Sequence, residues 1–111
     1  MDDLLGRAQT ALEAGDMVTV RQLLTPLAEA GDRKAQLLLG TALSLDPDPA
    51  SLPDAERWLK VCAEAGDGHA AHNLGALYLR LDQPESARRY FQLAVDSGFE
   101  ATVASDPNWG T

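Results

Sequence analysis

An all-α chain of repeated helical hairpins is the fold class this sequence predicts, and three observations predict it. The stretch Leu27-Ala-Glu-Ala-Gly-Asp-Arg-Lys-Ala-Gln-Leu-Leu-Leu-Gly40 returns thirty-five residues later as Cys62-Ala-Glu-Ala-Gly-Asp-Gly-His-Ala-Ala-His-Asn-Leu-Gly75, and a period of this length marks a stacked repeat. The pair Gly-Asp recurs at Gly15-Asp16, Gly31-Asp32 and Gly66-Asp67, each time between two helix-like stretches. Ala and Leu dominate while aromatic residues make up only 5%, which favours helices packed through small side chains. At 111 residues and 11.9 kDa the chain, 1–111, fits a single repeat domain.

The elements follow in order. Leu4, Leu5, Ala8, Ala11 and Leu12 lie three or four apart and predict a first helix over about 2–14. Gly15-Asp16 then combines a stop and a start. Glycine adopts the left-handed conformation that closes a helix, and the aspartate accepts from the free N–H groups that open the next. The same logic predicts helices over 17–30, 33–45, 53–65, 68–81 and 84–97. Pro26 falls inside the second, where it cannot donate to the carbonyl of Gln22, so a kink or break near Leu24-Thr25 is expected. Asp46 to Asp54 holds three prolines and reads as a loop. Its Ser51 and Asp54 have capping-box spacing, and Pro53 suits a first helical turn.

Counting back from Gly31, Gly66 and Gly98 aligns the even-numbered helices. The columns Val20/Ala55/Ala87, Leu23/Trp58/Tyr90, Leu27/Cys62/Ala94 and Ala28/Ala63/Val95 are all apolar or aromatic, which is a buried helical face repeated three times. The odd-numbered helices align as Ala35/Ala70, Leu39/Leu74, Gly40/Gly75 and Leu43/Tyr78. A mid-helix glycine costs about 1 kcal/mol against alanine, so its recurrence predicts close approach of the paired helix backbone.

These columns resemble the Sel-one-like repeat, a variant of the tetratricopeptide-type (TPR) α/α solenoid. The residues that carry the likeness are Ala55, Trp58, Ala63-Glu-Ala-Gly-Asp67, Ala70, Asn73-Leu-Gly75 and Tyr78, and, in the earlier copy, Ala28-Glu-Ala-Gly-Asp32, Ala35-Gln36 and Leu39-Gly40. A third copy matches in its second helix, at Ala87, Tyr90, Ala94 and Gly98. The resemblance covers about residues 2–98. It implies three antiparallel hairpins, about 2–31, 32–66 and 67–98, stacked into a right-handed α/α superhelix, with 99–111 as a C-terminal cap or tail. It also implies that the first helix of each pair lines a concave face that grips a peptide or protein segment.

Composition narrows the function. A formal charge of -8 argues against nucleic acid, whose binders carry a basic stripe. Residues 1–50 hold eight acids and four bases and residues 51–111 hold nine and five, so each half is -4 and the acidity reads as a soluble surface. No apolar run reaches membrane-spanning length. The start Met1-Asp-Asp-Leu-Leu-Gly lacks the basic and apolar segments of a signal peptide, so the cytoplasm is the expected compartment. Cys62 is the only cysteine, which rules out an intrachain disulfide.

His69 and His72, with Cys62 and Asp67 close by, have ligand chemistry at helical spacing. The columns assign them elsewhere: Cys62 replaces Leu27 and Ala94, and His72 replaces Leu37. No cofactor, metal site or catalytic residue is therefore expected, and the chain reads as a protein-binding adaptor with no enzyme activity. The candidate partner-binding residues are Lys34, Leu37, Leu38 and Thr41, followed by His69, His72, Asn73, Ala76 and Arg80, with Gln9 and Leu12 in the first hairpin. Phe99, Val103 and Trp109 are expected to cap the last hairpin or, left uncovered, to make a weak homodimer through the C-terminal end. A self-assembling structural protein is the alternative to the adaptor, and a metal-dependent enzyme using His69 and His72 is a third.

Overall fold

The computed structural model describes residues 4–98. Six α-helices succeed one another there: α1 (Leu4–Glu13), α2 (Met17–Glu29), α3 (Arg33–Leu45), α4 (Leu52–Glu64), α5 (Gly68–Arg80) and α6 (Pro84–Asp96). A short 3₁₀ turn, Pro49–Ser51, runs directly into α4 through Leu52. By its contacts the chain divides into two units, Met1–Val61 and Cys62–Thr111. In the first, α1 packs on α2, α2 on α3, and α1 also touches α3. In the second, α5 packs on α6.

The glycine joints explain why these helices are so closely spaced in sequence. Gly15, Gly31 and Gly66 have φ of 75°, 98° and 100°, the left-handed region that a side chain makes costly. The aspartate that follows serves both helices. Its backbone N–H reaches back five residues, Asp16 to Ala11, Asp32 to Leu27 and Asp67 to Cys62, at 2.8, 3.0 and 3.1 Å. Its carboxylate meanwhile accepts from the first turn of the next helix, from Thr19, Ala35, and His69 with Ala70. One residue closes a helix and caps the next. The joint between α5 and α6 uses the same backbone bonds with different residues. Asp82 takes the left-handed position at φ 60°, Gln83 donates to the Tyr78 carbonyl at 2.8 Å, and Gln83 makes no side-chain cap bond.

Pro26 does not break α2, which stays helical from Met17 to Glu29. Pro26 and Gln22 are both exposed, so the residue deprived of its bond lies on the solvent side, where water substitutes. The capping box expected of Ser51 and Asp54 is also replaced. Ser51 ends the 3₁₀ turn, only 1% exposed, and donates its hydroxyl to Asp46 Oδ2 at 2.6 Å. It accepts from Arg21 Nη2 of α2, also at 2.6 Å, and Arg21 Nη1 lies 3.8 Å from Asp54. Asp48 caps the turn through the N–H of Ala50. The proline-rich connection is thus tied to α2 by one buried hydroxyl.

That hydroxyl holds the Asp46 carboxyl below its ordinary value of 3.8, helped by the N–H of Asp48, against a small opposing effect of burial. Asp46 therefore adds stability that is present above the unfolded value and is lost as pH falls through the lower, folded one. Replacing Ser51 with alanine is expected to destabilise the chain by about 1–2 kcal/mol and to raise the Asp46 pKa. Urea titration and carboxyl NMR would check both, and an unchanged Asp46 would refute the bond's role.

The core follows most of the aligned columns. Val20, Ala55 and Ala87 are buried, as are Trp58 and Tyr90, Cys62 and Ala94, and Ala28 and Ala63. Leu23, Leu27 and Val95 are only half-buried. The column that seals each hairpin is Leu24/Leu59/Phe91, seven residues before each closing glycine. Leu59 and Phe91 meet the mid-helix glycines Gly40 and Gly75. A Cβ on Gly40 would lie 3.0–3.1 Å from the Leu59 side chain and 3.1 Å from its backbone nitrogen. One on Gly75 would lie 3.0 Å from the Phe91 ring. At Gly40 both backbone and side chain approach, whereas at Gly75 the neighbour is an aromatic ring.

Candidate functional site

The expected partner-binding residues fall on three helices, α1 and α3 in the first unit and α5 in the second. On α3, Lys34 is exposed and Leu37, Leu38 and Thr41 are half-buried. Their spacing of three, four and seven residues puts them on one face of the helix, opposite the buried set Ala35, Leu39, Ala42 and Leu43. On α5, His69 and Arg80 are exposed while His72, Asn73 and Ala76 are half-buried. These repeat the same spacing, opposite the buried Ala70, Ala71, Leu74, Leu77 and Tyr78. Each face therefore combines partly covered apolar side chains with exposed polar ones. In α1, Gln9 is exposed and Leu12 half-buried.

Leu45 was not among the expected residues. It continues the α3 face at the next helical step and is 66% exposed. The signal for it was present, since Leu45 stands thirty-five residues before Arg80, which the α5 face includes.

His72 is held by packing. Its ring lies 5.2 Å from that of Phe91 on α6, tilted by 59°. Burial pushes its pKa below the ordinary 6.5, and His69, one turn earlier on α5, adds to the lowering. A histidine depressed in this way costs nothing at high pH. As pH falls through 6.5 the unfolded chain takes up the proton first, so stability declines until the folded pKa is passed. His72→Leu, which installs the residue found at the α3 counterpart, is expected to flatten this slope on the acid side of 6.5. Denaturation midpoints measured across that range would check it, and an equally steep decline in the variant would refute it.

Cys62 is fully buried, a setting in which thiols are inert. Among the described residues no group of three or more His, Cys, Asp or Glu side chains is placed to hold a metal ion. No described helix is long and apolar enough to cross a membrane. The expected cap residues Phe99, Val103 and Trp109 lie outside the described residues.

One kind of contact occurs once within each unit. Arg57 lies over the ring of Trp58, 4.4 Å from its centroid, and Arg89 lies over Tyr90 at 5.6 Å. Both arginines stand nine residues before a closing glycine, so each covers the outer side of a core aromatic. In the second unit Tyr90 also stacks on Tyr78, with ring centroids 5.6 Å apart.

Among the described residues these features define an all-α arrangement of six helices that pack mostly on their sequence neighbours. Comparison with family models, with curated proteins and with solved structures gives no match to this chain.

Proposed function

We propose that the chain is a non-catalytic protein-interaction module of the Sel-one-like, TPR type, a right-handed α/α superhelix that holds a peptide or protein segment on its odd-numbered helices. One observation carries the reading. Between α3 and α5 three buried positions are identical, Ala35/Ala70, Leu39/Leu74 and Gly40/Gly75, and three others stay buried but differ, Gln36/Ala71, Ala42/Leu77 and Leu43/Tyr78, while every position of the candidate face changes, as in Lys34/His69, Leu37/His72 and Leu38/Asn73. A partly shared core under a face that changes at every position suits a repeat used for recognition.

Leu37 and Leu38 on one helix and Ala76 on the other would supply apolar burial, with Lys34, Asn73 and Arg80 orienting the partner. The test compares wild-type protein with a Lys34→Ala/Asn73→Ala/Arg80→Ala variant as bait in the native lysate. Loss of a specific partner from the variant supports the reading, whereas partners retained equally by both remove the proposed surface.

A second reading, assembly with another copy, is favoured by Leu79. It is 54% exposed on α5, where its α3 counterpart Ser44 is 6% exposed. Sedimentation over a range of concentrations separates the two, since a concentration-independent monomer counts against assembly.

A further inference from the structure

We draw no further inference here: the strongest candidate, the exposed apolar patch at Leu79 on the outward side of α5, carries none, because nothing in the structure shows what covers it.

Discussion

Replacing Gly40 with valine is expected to destabilise the chain by about 3 kcal/mol, and with alanine by about 1–2 kcal/mol. The reason is the kind of neighbour. An added Cβ meets not only the Leu59 side chain but the Leu59 backbone nitrogen, at 3.1 Å, and backbone cannot retreat without moving α4. The helix-propensity gain of about 1 kcal/mol on removing a glycine is smaller than the cost of that displacement. Gly75→Ala is the control. There the three nearest atoms all belong to the Phe91 ring, at 3.0 Å, and a ring yields by rotating about its side-chain bonds. The propensity gain then roughly offsets the strain, and the change is expected to be near neutral. Urea denaturation of both variants checks the contrast, and it fails if Gly75→Ala is the more damaging. Pairing Gly40→Ala with Leu59→Ala should give a coupling energy of about 0.5–3 kcal/mol, as for residues in direct contact.

Truncating Phe91 to alanine is expected to cost about 3–5 kcal/mol, a large share of the roughly 5–15 kcal/mol by which domains are stable. Phe91 is buried on α6, seated on Gly75 and beside His72, so its loss opens a cavity in the α5–α6 hairpin. The gap would also admit water to the His72 ring. Because burial is the larger cause of its lowered pKa, the Phe91→Ala chain should show His72 titrating closer to 6.5. Stability and an NMR titration of His72 test this together. A stable variant would place the hairpin's core elsewhere, and an unmoved His72 would mean that Phe91 does not shield it.

Much of the helical layout was legible because its signals are local. Gly-Asp at three joints carries a closing conformation and a capping carboxylate within two residues, so the start of α3 was readable without knowing what α3 touches. The fourth joint was less plain, since Asp82 stands where the others have glycine. Ser51 is the opposite case. Its spacing to Asp54 suggests a local cap, but its partners are Asp46 and, from α2, Arg21, which no local pattern predicts. Leu24, Leu59 and Phe91 share a register that the alignment by closing glycines already contained. The neighbouring columns are equally apolar, and apolarity alone does not rank burial.

The candidate faces divide in the same way. Helical spacing grouped Lys34 with Leu37, Leu38 and Thr41, and His69 with His72, Asn73, Ala76 and Arg80. The exposure of Leu45 and the packing of His72 against Phe91 depended on which neighbours cover each helix. The repeat itself, the six helices and the separation of core from outward residues belong to the sequence, since they rest on interactions within a few residues or on a repeated register. The degree of burial within a column belongs to the tertiary structure. So do the Arg21–Ser51–Asp46 tie and the contrast between backbone contact at Gly40 and ring contact at Gly75. These are set by atoms far apart in the chain, brought within bonding distance only when the helices pack.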